Sequence, residues 1–195
     1  HFVRRRQRQM CIRDSSFIMR TNFVYTIFLF FSLFAFSQTN FDIEKSKVKW
    51  TGKKITNASH WGYINFTKAD ITFDGDAIST GNFIVDMTSI SVDDISGGGK
   101  NRLENHLKDD DFFSVDKFNN AELEILEKSE MIDNKYLIEA NLTIKGITNP
   151  ITFEMTLVAD DSYKAKLIFD RSKYDVQYRS GSFFENLGDR LILDD

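Results

Sequence analysis

His60 and His106 are the only histidines beyond the first residue, and Cys11 is the only cysteine. A nucleophile–histidine–acid triad would have to use one of those two rings as its base, and neither stands in a recognisable signature. Ser180-Gly181-Ser182 fails as a nucleophile elbow, because the glycine that must precede the serine by two positions is Ser180. Gly97-Gly98-Gly99-Lys100 approaches the phosphate-loop pattern and misses it twice. Asp94 stands where the first glycine must permit the turn, and Asn101 stands where a hydroxyl must bind magnesium. Asp93-Asp94 and Asp109-Asp110-Asp111 could gather calcium. They lack the alternating oxygen ligands and central glycine of a calcium loop, so solvated acidic loops are expected. One cysteine makes neither an internal disulfide nor a cysteine zinc site. No catalytic residue, metal or cofactor is expected. The polar residues left as binding candidates are His60, His106 and Arg171, and Arg171 could equally be a buried salt-bridge partner of Asp170 or Asp86.

The elements that would position these residues alternate with a period of two. Tyr136-Leu137-Ile138-Glu139-Ala140-Asn141-Leu142-Thr143-Ile144 and Ile151-Thr152-Phe153-Glu154-Met155-Thr156-Leu157 each read as a strand with one buried and one polar face. So do Ala165 to Asp170, the stretches around Trp50 and around Ile64–Phe66, Ala69 to Phe73, Phe83 to Met87, and Ala121 to Ile125. Asp74-Gly75 marks a tight hairpin. A further turn is expected over Gly146 to Pro150. The single helical signal is Lys100 to Lys108, after a Gly97–Gly99 breaker. About eight short-linked strands mean an all-β barrel or sandwich.

The inward set is bulky and apolar. It comprises Trp50 on the first strand, Ile64, Phe66, Ile71 and Phe73 on the next, then Phe83, Val85 and Met87. Leu142 and Ile144, Phe153 and Met155, and Leu167 and Phe169 complete it. An eight-stranded barrel with this lining is either filled by its own side chains or holds one small ligand, and alternation fits both.

The N-terminal part is a different kind of sequence. Eight of the 19 phenylalanines precede Gln38, and Phe23 to Phe36 is uncharged. Met19-Arg20, this apolar run and Ala35-Phe36-Ser37 read as a secretory signal peptide over residues 19–37, cleaved before Gln38. The run is shorter than the ~20 residues of a membrane span. Cys11 lies upstream of it, which excludes a lipoprotein cysteine. Residues 1–18 are read as a non-biological extension, since Arg6 to Ser15 looks like translated sequencing adapter. The domain is therefore 38–195, and a periplasmic or secreted location is expected. Six basic residues and one acidic residue precede Gln38. Of 25 basic and 29 acidic residues, 19 and 28 remain, a net charge of −9. That balance argues against a nucleic-acid partner.

Six segments in order carry a family resemblance. They are Val48–Gly52 (VKWTG), Ser59–Phe66 (SHWGYINF), Asp86–Ile90 (DMTSI), His106-Leu107-Lys108 leading into Asp111-Phe112-Phe113, Leu142–Gly146 (LTIKG) and Asp170–Tyr174 (DRSKY). Over Phe41 to Asp195 they resemble the bacterial YceI-like, polyisoprenoid-binding family. The resemblance implies an eight-stranded antiparallel lipocalin-like barrel with an apolar tunnel, and an exported, non-enzymatic protein. It also implies a long isoprenoid or fatty lipid as ligand, and often a homodimer. The fourteen inward residues would line the tunnel, with His60, His106 and Arg171 at its mouth. The alternatives are a partner-binding stress protein with a filled core, or a histidine-dependent enzyme. Two positions depart from the family. Asn119 stands where a proline is usual, and the sequence stops at Leu193-Asp194-Asp195 where members continue, so the last strand is expected to be truncated.

Overall fold

In the computed structural model the described residues are 36–159, 161–183 and 192–193. The expected extension 1–18, and the signal peptide up to Ala35, lie outside them. Residues Phe34–Asp195 form one compact unit.

Eight strands make one antiparallel sheet: β1 (Phe36–Asn40), β2 (Val48–Lys53), β3 (Ser59–Asp74), β4 (Ala77–Asp86), β5 (Asn120–Ile125), β6 (Lys135–Ile144), β7 (Ile147–Ala159) and β8 (Ser162–Ala165). The sheet runs β1-β3-β4-β5-β6-β7-β8, and β2 also pairs with β3. At 16 residues β3 is long enough to carry β2 on Ser59–Ile64 and β1 on Asp70–Asp74. The fold is a curled, lipocalin-like antiparallel half-barrel with one α-helix, α1 (Gly97–Lys108).

Two bulges explain how the inward set of β3 and β4 changes parity. Phe66 faces Val85 and Lys68 faces Ile84, which leaves Thr67 as the extra residue; its hydroxyl donates to the Ile84 carbonyl at 3.3 Å. Ile64 and Phe66 before the bulge, and Ala69, Ile71 and Phe73 after it, thus share one face. The second bulge, at Ser79, does the same for Ile78 and Gly81.

Three local expectations change. The β6–β7 turn is only Lys145-Gly146, both at positive φ (52° and 74°), with Ile144 opposite Ile147. This is the two-residue hairpin geometry that matches strand twist. Pro150 lies inside β7, opposite Asn141. It is tolerated because β8 pairs with β7 only from Met155 to Ala159, so no neighbour asks for the missing N–H. The strand read over Ala165 to Asp170 ends at Ala165, and 166–170 is irregular, although Leu167 and Phe169 still pack on the core. The glycine run belongs to α1 rather than preceding it, with Ser96 as N-cap.

One end of the barrel is closed by chain. The 3-10 turn Met87–Ser89, residues 90–92 and α1 bury Met87, Ile90, Val92 and Leu107, and Phe112 and Val115 complete the plug. Gly62 makes this approach feasible, since a Cβ there would lie 1.8 Å from the Ser91 carbonyl oxygen. The Trp50 indole N–H donates to that same oxygen at 2.9 Å. Toward the other end Ile71, Ile78 and Ile138 are fully sealed. Each such side chain contributes about 1.5–3 kcal/mol.

Candidate functional site

The inner face divides the fourteen expected lining residues into two groups. Ile64, Ile71, Met87, Leu142, Ile144, Phe153 and Met155 are buried, while Trp50, Phe66, Phe73, Phe83, Val85, Leu167 and Phe169 are half-buried. All but Phe66 belong to one apolar cluster or pack on it, and Phe66 joins through Phe83 at 6.2 Å between ring centroids.

The half-buried rings form a continuous run. Phe83 stacks on Phe41 at 6.3 Å, Phe41 meets Tyr163 edge-on at 5.6 Å, and Tyr163 reaches Phe73 at 6.3 Å and the buried Tyr136 at 6.4 Å. Phe41 follows β1 and Tyr163 sits on β8, so the curl brings the two ends of the strand order together through aromatic side chains. Burial pushes the Tyr163 and Tyr136 hydroxyls above their usual pKa, and Tyr136 donates to the Asp76 carbonyl at 2.9 Å. Phe41, Tyr163 and Leu123 pack on the same apolar cluster and were absent from the inward set read from sequence. Leu123 lies in an alternating stretch that could have flagged it. Phe41 lies outside any strand, and β8 is only four residues long.

The three polar candidates do not converge. His60 Nδ1 is 2.7 Å from Asp94 Oδ2, and Asp94 Oδ1 accepts from the Trp61 N–H at 3.0 Å. Burial works against the Asp94 charge, yet these hydrogen bonds hold its carboxyl below the usual range. His106 packs its ring on Tyr178 at 4.1 Å between centroids, with Nδ1 at 3.6 and 3.8 Å from Asp109 and Asp111. These three residues place one donor atom each within 4.8 Å of one another, a geometry that could gather a cation, with both carboxylates exposed.

Arg171 is buried inside a cage of carbonyls. Nε donates to Leu193 O at 3.2 Å, Nη1 to Tyr178 O at 3.0 Å and Val176 O at 3.5 Å, and Nη2 to Ile192 O at 3.1 Å. Its guanidinium also lies over the Phe112 ring at 5.7 Å. The two aspartates considered as its partners serve as caps. Asp170 accepts from the Ser172 N–H and hydroxyl, and Asp86 from those of Thr88. Leu193 N–H in turn donates to Lys53 O at 2.9 Å, and Ile192 bridges to Lys54. Arg171 therefore ties residues 192–193, which pair with the end of β2, to the closed end of the barrel.

Open hollows on the surface, one over Glu154, Thr156 and Lys164 and one beside Asp109–Asp111, share no residue with the aromatic run. Among the described residues no serine or threonine hydroxyl hydrogen-bonds either histidine ring.

Among solved structures, one shares the fold over most of this chain. The crystal structure of Burkholderia cenocepacia BcnA superposes with a TM-score of 0.62 at 21% identity, over 78% of this chain and 92% of that one. A mutant CJ YCEI protein prepared for nanotechnology applications aligns with a TM-score of 0.48 at 17% identity, over 56% of this chain and 67% of that one. No match to a curated protein sequence was found. Residues 40–194 match the profile of the YceI-like domain. With most of the strands and the whole aromatic run inside that match, the chain belongs to the YceI-like family.

Proposed function

We propose that the protein is an exported carrier that holds a long isoprenoid or similar apolar chain inside the half-barrel, and that it is not an enzyme. The observation that carries this reading is the run Phe66–Phe83–Phe41–Tyr163–Phe73. These rings share the concave face with fully sealed aliphatic residues, yet they remain half-buried. Partly open aromatics on an otherwise apolar concave wall are the lining an apolar ligand needs. Each buried methylene contributes about 0.8 kcal/mol, so an isoprene unit could add about 4 kcal/mol before ordering costs. Few polar contacts are then required, which suits a site whose histidines and arginine are engaged elsewhere.

Native mass spectrometry of the purified protein, followed by organic extraction, tests the reading. The expected result is a co-purified apolar molecule that disappears in Phe83→Trp while the melting temperature holds. Ligand-free protein, with Phe83→Trp destabilised like an overpacked core, would favour a filled barrel instead.

A further inference from the structure

The outer face of the β2–β3 hairpin has the opposite character to the rest of the domain. Between Lys47 and Lys54 the chain carries four lysines and no acid, in a domain whose net charge beyond Ser37 is −9. Alternation sends Val48 and Trp50 inward with Gly62 and Ile64, and Lys47, Lys49 and Lys53 outward with Trp61 and Tyr63. Cross-strand contacts agree with this. Lys49 Nζ lies over the Trp61 ring at 4.1 Å, Lys47 Nζ over Tyr63 at 5.6 Å, and Trp61 meets Tyr63 edge-on at 5.9 Å.

Among the described residues no carboxylate lies within 4 Å of Lys47, Lys49, Lys53 or Lys54, as is also true of the scattered Lys108, Lys164, Lys166 and Lys173, whereas Lys68, Lys100, Lys117, Lys128 and Lys135 each have at least one. Of the described acids on the neighbouring 91–94 segment, Asp93 is engaged with Lys100 and Asp94 with His60. At the hairpin tip Ile55 is 54% exposed, next to Lys53 and Lys54. The face therefore presents exposed cations, two aromatic rings with polar tips and one projecting aliphatic side chain.

We infer that this face docks the protein onto an anionic lipid bilayer. Charge complementarity requires an anionic occupant. The rest of the patch selects a bilayer over an acidic protein, because Trp and Tyr rings settle at the headgroup level and an exposed aliphatic tip can enter the acyl boundary. On docking, Lys47 and Lys49 exchange ring faces for phosphates, and Trp61 and Tyr63 meet the interface. This inference goes beyond the carrier reading and does not depend on a cargo.

The test is co-sedimentation of the full chain with vesicles of phosphatidylcholine, with and without phosphatidylglycerol, comparing wild type with Lys47→Gln/Lys49→Gln/Lys53→Gln. The apolar run and the arginines before Gln38 are common to both proteins, so the difference isolates the hairpin. Each lysine near an anionic surface is worth about fivefold in partitioning. The triple variant is expected to lose at least tenfold of its binding to phosphatidylglycerol vesicles, to bind pure phosphatidylcholine as wild type does, and to melt at the wild-type temperature. Raised salt should erase the difference. Ile55→Asp should weaken binding without changing the melt. Equal binding of wild type and triple variant to phosphatidylglycerol vesicles overturns the inference. So does a difference that appears only with an acidic polypeptide such as polyglutamate. The co-purified lipid is read in a separate experiment, so carrier and docking readings fail independently.

Discussion

Replacing Arg171 with methionine removes the cation and leaves its carbonyl cage in place. Among the described residues, three hydrogen bonds of 3.0 to 3.2 Å, to Tyr178, Ile192 and Leu193, are lost, and the longer contact to Val176 goes with them. A hydrogen bond to a charged group is worth about 1.5–3 kcal/mol, so a simple sum would reach about 5–9 kcal/mol. The net cost is smaller, because the guanidinium no longer has to be desolvated and carbonyls near the chain end recover water. About 3–5 kcal/mol is expected, in line with breaking other buried charge networks. For a domain of this size each kcal/mol moves the melting temperature by about 2–4 °C, so Arg171→Met should melt roughly 10 °C lower. Arg171→Lys should recover less than half of that, since an ammonium cannot serve carbonyls on several sides. The assay is thermal and urea unfolding of the three proteins, with any co-purified apolar molecule measured below all three transitions. A melting temperature of Arg171→Met within about 3 °C of wild type would refute the structural role, and loss of a co-purified apolar molecule from the fully folded variant would assign Arg171 to a ligand mouth instead.

The remaining predictions concern other parts of the fold. Gly62→Ala should destabilise by about 1–3 kcal/mol or more, because the new methyl must displace the Ser91 carbonyl; a change in tryptophan emission would report loss of the Trp50 hydrogen bond. Asp94 is held below its ordinary value of 3.8, so its contribution to stability is present above that pH and lost as pH falls through the lower folded value. Urea midpoints measured from neutral to acid pH should therefore drop less steeply at the acid end in Asp94→Asn than in wild type. For the proposed export, N-terminal sequencing of periplasmic protein should begin at Gln38, leaving Gln38–Asn40 of β1 to pair with Asp70–Thr72; a membrane-bound form starting at Met19 would contradict it.

Period-two alternation along the chain was enough to specify an all-β fold and most of its inward face, because a side chain's face depends only on its parity within a strand. Tyr136 to Ile144 and Ile151 to Leu157 needed nothing else. Parity alone could not locate the bulges at Thr67 and Ser79, since a bulge is an extra residue on one strand and exists only relative to its partner. Nor could it show that Pro150 sits within a strand, which depends on β8 being too short to reach it. The fourteen inward residues were legible one by one from alternation. What joins them is Phe41 against Tyr163, two residues 122 positions apart whose meeting follows from the curl of the whole sheet. Arg171 shows the limit most directly. Its charge suggested a mouth or an ion pair, because sequence lists acidic neighbours but not backbone carbonyls. Only the tertiary structure could aim the carbonyls of Val176, Tyr178, Ile192 and Leu193 at one guanidinium, and that convergence ties residues 192–193 to the closed end of the barrel.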